Sequence, residues 1–427
     1  MQIAALYRQF LLSTGVSTDT RKIDHGKIFF ALKGENFNGN LFAEEALRNG
    51  ALLVIADEPH FAHDARIVVV ENALTVLQQL ARHHRQVLQL KVLAVCGSNG
   101  KTTTKEIISR VLQNRYRVFA TQGNLNNHIG VALTLLSIPA GTEIAVVEMG
   151  ANHAGETKRL CEIGAPDCGL ITNNGKDHLE GYGSLDGVRK GNGELYDYLR
   201  LHNGTAFVSA DQPDLMEDSA DLRRVTYGES KDATYQGKIT AVFPFLKISL
   251  EQEGYELETQ LIGRYNFDNV MAAVAAGSYF GIAKEALQQS IAAYVPSNNR
   301  SQLLQKDGNT FILDAYNANP SSMQAALLNF TQMPVENKIL ILGDMLELGA
   351  FSLQEHRSML ENIDAEKFMN VVLVGKEFGK ALGQSAHEML HFDTVNDLKS
   401  WFQQQHFSGC YVLLKGSRLI GLENLVV

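Results

Sequence analysis

Val92-Leu93-Ala94-Val95-Cys96-Gly97-Ser98-Asn99-Gly100-Lys101-Thr102-Thr103-Thr104 runs from an apolar segment through a glycine-bracketed polar loop into a helical segment ending near Leu112. The apolar run, with its two valines, reads as a buried strand. The loop and helix start beyond it have the make-up of a phosphate cradle. Gly97 and Gly100 let backbone N–H groups approach an anion, and the helix N-terminus adds partial positive charge. Lys101 can reach outer phosphates, and the Thr102 hydroxyl can ligate Mg²⁺. Ser98, Asn99 and Thr103 complete the candidate phosphate-binding set. The spacing is shorter than that of the common P-loop, which would need glycine where Val95 stands. The bland alternative is a glycine turn that caps a helix; the position between strand and helix favours the nucleotide site.

Composition narrows the rest. A chain of 427 residues, 45% hydrophobic and 20% charged, is a globular composition too long for one ordinary core, and three domains are expected. The net charge of −9, with no basic stripe, argues against nucleic acid as the main partner. Cys96, Cys161, Cys168 and Cys410 have no paired spacing and read as buried thiols. The first dozen residues are amphipathic without a basic start, and no apolar run nears the roughly 20 residues of a membrane span. A monomeric, cytoplasmic protein without membrane insertion is expected.

Along the chain, strands and helices alternate in a small α/β unit, 1–86. A central domain, 87–296, repeats βα with strands expected at 92–96, 117–121, 143–149 and 168–173, then a β extension from 205 to 265. Pro296-Ser297-Asn298-Asn299-Arg300 reads as a hinge. After it, 297–427 resumes βα alternation as a Rossmann-like domain without the G-x-G-x-x-G fingerprint. Apolar strands such as Ile144-Ala145-Val146-Val147 imply parallel sheets covered on both faces. Ligands bind beyond the C-terminal strand ends of such sheets, so the polar strand ends should share one rim.

On that rim Glu148 is a candidate magnesium ligand opposite Thr102, or else a helix cap. His128, His153 and His178 lie on the same predicted rim, and at least one is expected to be only a polar loop residue. Thr18-Asp19-Thr20-Arg21 and the loop from Lys33 through Asn38 to Gly39 either face one ligand or are ordinary turns. Lys190-Gly191-Asn192-Gly193-Glu194 reads as a solvated helix start. Asp314, at a strand end before Tyr316, Asn317 and the helix-opening Pro320, either accepts from ribose hydroxyls or anchors the turn. Arg300 can touch a phosphate on closure. Lys415-Gly416-Ser417-Arg418 suits a substrate carboxylate or is a basic turn.

Taken together, Gly97-Ser98-Asn99-Gly100-Lys101-Thr102-Thr103, Gly123-Asn124-Leu125-Asn126-Asn127-His128-Ile129-Gly130, Glu148-Met149-Gly150-Ala151, His178-Leu179-Glu180-Gly181, Tyr316-Asn317-Ala318-Asn319-Pro320, Leu342-Gly343-Asp344-Met345-Leu346-Glu347-Leu348-Gly349 and Lys415-Gly416-Ser417-Arg418 resemble the Mur ligase family over essentially the whole chain. Two of these strings, 316–320 and 342–349, point to the branch that adds D-alanyl-D-alanine to UDP-N-acetylmuramoyl-tripeptide. The resemblance implies an ATP- and Mg²⁺-dependent ligase acting through an acyl phosphate; a sister ligase with another amino donor, or a non-catalytic nucleotide-binding paralogue, are the alternatives.

Carried over residue by residue, the resemblance gives Lys101 the β- and γ-phosphates, Thr102 and Glu148 one Mg²⁺, and His178 a second. Asn269 takes adenine, Asp314 ribose, with Tyr316 and Asn317 beside it, and Arg300 arrives on domain closure. Thr18 to Arg21 with Lys33, Asn38 and Gly39 take the UDP end. Asn124 and Asn126 take the muramoyl peptide, and Lys415, Ser417 and Arg418 the dipeptide. One position departs from the pattern. A carbamylated lysine commonly stands before Gly-Glu in this family, where this chain has Asn192, with Lys190 two residues earlier. Two residues rotate a helical side chain by roughly 200°, so either a local turn lets Lys190 serve, or Asn192 ligates directly, or the second metal site is weakened.

Overall fold

The computed structural model describes residues 2–34, 36–59, 64–251, 253–383 and 389–426. Glu35, within the loop expected to meet a ligand, and Met1 lie outside the described residues.

The strand formed by the opening apolar run, Lys91–Cys96, is buried on both faces in the interior of a seven-stranded parallel sheet. Its neighbours are Cys168–Ile171 on one side and Ile144–Glu148 on the other. The chain first builds the edge Val118–Ala120 and the strand Ile144–Glu148, then crosses to the opposite side. The loop after Lys91–Cys96 therefore sits where the strand order reverses, the crevice that doubly wound sheets use for ligands.

Thr205–Ser209 corrects the expected β extension. Its Ala206, Phe207 and Val208 are wholly buried, and it pairs in parallel with Cys168–Ile171 as a further strand of the main sheet, followed by Arg223–Gly228 and Tyr235–Gln236. Only Lys238–Ala241, Lys247–Leu250 and Tyr255–Glu258 form a separate antiparallel sheet. Their buried Ile248, Leu250 and Leu257 share one core with the helices Phe267–Tyr279 and Lys284–Ala292.

A four-stranded parallel sheet, Val16–Ser17, Ile28–Phe30, Leu53–Ala56 and Ile67–Val69, makes the N-terminal unit. The helix Ala73–Leu88, capped by the Asn72 side chain on the Thr75 N–H, joins its core to that of the central domain through Leu77, Leu80 and Ala81. The C-terminal sheet has six strands in the order Gln302–Lys306, Asn309–Asp314, Tyr411–Lys415, Lys338–Gly343, Asn370–Val374, Leu390–Phe392. All its pairings are parallel except the first, a hairpin turned by Asp307 and Gly308, both at positive φ. That strand, Gln302–Lys306, is absent from the sequence reading although Asp-Gly is its signal. Among the described residues no helix is long and apolar enough to cross a membrane.

Candidate active site

A cavity of about 870 Å³ lies between the C-terminal strand ends of the two large sheets. From the central domain it is lined by Ser98 to Thr103, Asn124, Asn126, Glu148, Asn173, Asn174, Asp177, His178 and Asn269; from the C-terminal side by Arg300, Asp314, Tyr316, Asn317, Glu347, Lys415 and Arg418.

The phosphate loop requires its glycines. Gly97 and Gly100 have φ of +114° and +83°, a region that glycine enters without a Cβ clash. A Cβ on Gly97 would strike Thr172 and one on Gly100 would strike the Asn269 amide, so the loop lies directly against both. Lys101 opens the helix Lys101–Leu112, and its ammonium folds back onto the Ser98 carbonyl at 3.0 Å. Ser98 Oγ donates to Asp177 Oδ1 at 2.6 Å and accepts from the Gly175 N–H at 2.9 Å, fastening the loop to the neighbouring strand end. Thr104 Oγ1 donates to Asn269 Oδ1 (2.9 Å), and Asn269 Nδ2 donates to Asn266 Oδ1 (2.8 Å).

Glu148 ends its strand 2% exposed. Thr102 Oγ1 donates to its Oε2 and Asn126 Nδ2 to its Oε1, both at 2.9 Å. Carboxylate and hydroxyl oxygens are the hard donors that magnesium prefers, and Mg²⁺ keeps several waters and substrate phosphates as further ligands. The donor set fits that ion. Among the described residues no group of three or more His, Cys, Asp or Glu could cage a metal by itself, so the rest of the coordination has to come from water and phosphate.

His178 stands at φ +45° and pairs through Nδ1 with Glu347 Oε2 of the C-terminal domain at 2.8 Å; Glu347 itself is at φ +62°. Both backbones occupy a sparsely populated region that typically costs on the order of 1–3 kcal/mol. The hydrogen bond from His178, against the opposing effect of burial, holds the Glu347 carboxyl below its usual range. Further ties cross the cleft: Lys176 Nζ to Glu355 (2.8 Å), the Lys176 N–H to Ser321 Oγ (2.8 Å), and Asn319 Nδ2 to Asn99 Oδ1 (2.9 Å). Asn319 is also the N-cap of the helix Pro320–Gln332.

On the C-terminal wall the Arg300 guanidinium lies 3.6 Å from the Tyr316 ring centroid and Arg418 lies 5.3 Å from it. Arg300 Nε is buried without a hydrogen-bond partner. Asp314 both anchors and faces the cavity: its Oδ2 pairs with Lys415 Nζ at 2.6 Å and its Oδ1 accepts from the Ser301 N–H at 3.3 Å.

Several expected site residues are placed elsewhere. Lys190 belongs to an unbroken helix, Leu185–Leu201, and its side chain is 76% exposed and paired with Asp186 at 2.7 Å. The turn that would bring it inward does not exist. Asn192 is buried and donates to Asn174 Oδ1 at 2.9 Å. The helix starts at the Ser184 cap, so Glu194 is mid-helix, where it caps the neighbouring helix Glu156–Gly164 through the Gly155 and Lys158 N–H groups.

Lys415 is 2% exposed and committed to Asp314, and Ser417 is buried with its Oγ accepting from the Leu346 N–H at 2.9 Å; Arg418, which also lines the cavity, has no ion pair among the described residues. His128 and His178 line the cavity, whereas His153 turns to Glu156. Thr18, Asp19, Thr20, Arg21, Lys33, Asn38 and Gly39 do not line it. Arg21 pairs with Asp19, Lys33 with Asp57 and Glu58, and Asn38 donates to Glu58. All four cysteines are free and buried, and burial pushes the Cys96 thiol up to about 12.

The sequence reading missed Asn173, Asn174 and Asp177 as individual lining residues, though their polar strand end was read as part of the rim. It also missed Arg159, for which no motif gives a signal.

Three family models match the chain: Mur ligase family, catalytic domain, over residues 13–85; Mur ligase middle domain over 95–277; and Mur ligase, glutamate ligase domain, over 299–418. The chain is 36% identical to the UDP-N-acetylmuramoyl-tripeptide–D-alanyl-D-alanine ligase of Bacillus subtilis, covering 96% of this chain and 92% of that one. A crystal structure of MurF from Acinetobacter baumannii superposes with a TM-score of 0.87 at 30% identity, covering 98% of this chain and 97% of that one. MurF ligase from Thermotoga maritima in complex with ADP does so with a TM-score of 0.88 at 26% identity, with the same coverage.

Proposed function

The chain belongs to the Mur ligase family and uses ATP to join D-alanyl-D-alanine to UDP-N-acetylmuramoyl-tripeptide; we propose that it does so through an acyl phosphate formed in the cleft bounded by Lys101, Thr102, Glu148 and His178. The observation that carries this is the convergence of a phosphate loop, the Thr102–Glu148 oxygen pair and two arginines from the facing domain on one cavity.

A carboxylate is a poor electrophile at neutral pH. Its oxygen attacks the γ-phosphorus of ATP, the bond to the ADP oxygen breaks, and the resulting acyl phosphate carries a good leaving group. The neutral amine of the dipeptide then attacks the carbonyl carbon, the phosphate departs, and the nitrogen loses a proton. Such transfers are catalysed mainly by positioning and charge neutralisation. Lys101 and the Gly97–Thr103 backbone hold the β- and γ-phosphates, and Arg300, on its Tyr316 platform, meets the charge of the transferring group. Thr102 and Glu148 would hold one magnesium and His178 would meet a second; bound there, such ions would neutralise phosphate charge and polarise the γ-phosphorus.

Asn269 faces adenine, Asp314 faces ribose, and Asn124 and Asn126 face the muramoyl peptide. The dipeptide carboxylate is assigned to Arg418 in place of the buried Lys415 and Ser417. The UDP end is taken by the N-terminal unit, 1–86, while 87–296 and 297–427 supply the two walls of the cleft. The reading is of a monomer working in the cytoplasm.

ADP release, measured with the tripeptide nucleotide and the dipeptide each omitted in turn, tests the reading. Release is expected only with both present. Release driven by a different amino donor would assign a sister activity, and tight ATP binding without turnover would refute the enzyme.

A further inference from the structure

Lys105 belongs to none of the roles above, yet it is among the most buried charged groups of the central domain. One helical turn beyond Lys101, it is 3% exposed, its Nζ donates to the Thr121 carbonyl at 2.8 Å, and it lies 3.7 Å from Glu148 Oε2. Thr121 in turn accepts through Oγ1 from the Glu148 N–H at 3.0 Å, so Lys105 and Glu148 share one anchor. A charge this deep is retained only when paired. Glu148 thus already has an internal cation, and both of its oxygens already accept hydrogen bonds, from Thr102 and Asn126.

A dication arriving alone would meet three obstacles: the Lys105 ammonium beside the carboxylate it needs, the Asn126 and Thr102 hydrogen bonds, and a protein donor set of only a hydroxyl and one carboxylate. The phosphates of a nucleotide remove the first by their negative charge and the last by their oxygens. We infer that Lys105 is a positioning residue that acts as the resident counter-ion of Glu148, making magnesium binding conditional on the nucleotide, so that the metal is admitted as its nucleotide complex and is excluded as the free ion. This rests on the assignment of Thr102 and Glu148 to the metal.

The test uses Mn²⁺ as the probe, with bound and free ion separated by electron paramagnetic resonance on the full-length protein. Without nucleotide, the parent chain is expected to bind Mn²⁺ only weakly. Lys105→Met should bind one ion per chain at least tenfold more tightly. Lys105→Gln, whose amide still donates to the Thr121 carbonyl, should show the same gain and serves if the Met variant fails to fold. Lys105→Arg, which keeps the charge, should match the parent. Adding Glu148→Gln to either neutral variant should erase the gain.

Unchanged Mn²⁺ affinity in the neutral variants, with Glu148→Gln still weakening Mn²⁺ binding in the presence of ADP, would overturn the role of Lys105 alone. If Glu148→Gln leaves Mn²⁺–ADP binding intact, the metal assignment itself falls.

Discussion

The two large sheets present their C-terminal strand ends to the same cavity, yet they use them differently. Around the central sheet the polar side chains of the strand ends, loops and helix starts reach across to one another: Thr102 and Asn126 to Glu148, Ser98 to Asp177, Thr104 to Asn269. On the C-terminal sheet the equivalent positions are spent on holding the domain together. Lys415 neutralises Asp314, Ser417 satisfies the Leu346 N–H, and both oxygens of Asp344 accept from the N–H groups of Glu377 and Phe378 at the start of the helix Lys376–Leu382. One rim is a preassembled polar network, the proposed phosphate and metal site; the other is a rigid mount that offers Arg300 and Arg418 beside the Tyr316 ring. The same topology thus carries a linked polar network on one sheet and a fixed pair of cations on the other.

If that division is right, Lys101→Ala should lower kcat/KM by on the order of 10³, as removal of a charge-stabilising donor does, while leaving the melting temperature nearly unchanged. Turnover and thermal unfolding measured on the same variant check it; a large loss of stability would place Lys101 with the structural rim. The reverse is expected of Lys415→Met. Removing one partner of this buried pair should cost about 3 kcal/mol of stability, read by denaturant unfolding, and Asp314→Asn in the same background should recover part of it.

A pH measurement sharpens the contrast. Burial, with Asp211 nearby, pushes the Asp268 carboxyl up to about 6 from 3.8. The folded chain then holds this proton more tightly than the unfolded one, so the contribution to stability is fullest below pH 3.8 and falls as pH rises to about 6. Asp268→Asn should therefore stabilise the protein by on the order of 1–2 kcal/mol at about pH 7.5 and remove that slope. Tyr316→Leu, which strips the platform from two arginines, should raise KM for ATP by roughly 3- to 10-fold, in line with one or two cation–π contacts. Its kcat is expected to change less. Last and smallest, depleting bicarbonate from the buffer should leave the rate unchanged, because neither exposed Lys190 nor Asn192 offers a lysine amine at the site.

Much of this is legible in the sequence alone. Gly97, Gly100 and Lys101 announce the loop through residue type, and a glutamate after four apolar residues announces a strand end. The illegible part depends on which partner a side chain finds. Nothing local distinguishes Arg418, beside the Tyr316 ring, from Lys415, three residues earlier, which is buried and paired with a carboxylate a hundred residues away in the chain. Lys105 gives no signal either, since its neighbour Glu148 arrives by strand pairing. The misplacement of Thr205–Ser209 has a similar cause: a short apolar run looks alike in a parallel sheet and an appended one, and register with Cys168–Ile171 decides. The hairpin at Asp307-Gly308, by contrast, is readable from its dipeptide.

The ties across the cleft carry one more consequence. Lys176 with Glu355, His178 with Glu347, and Asn319 with Asn99 are polar contacts beside an apolar one, where Leu179 of the central domain shares a buried cluster with Met345 and Leu348 of the C-terminal domain. Pairs of this kind are worth about 0–1 kcal/mol each when exposed to solvent, and dissolved ions weaken them over a Debye length of about 8 Å at physiological strength. The polar ties are therefore the salt-sensitive part of the seam. The fraction of molecules with the cleft shut should fall as the ionic strength of the medium rises, down to the level that the apolar contact alone sustains.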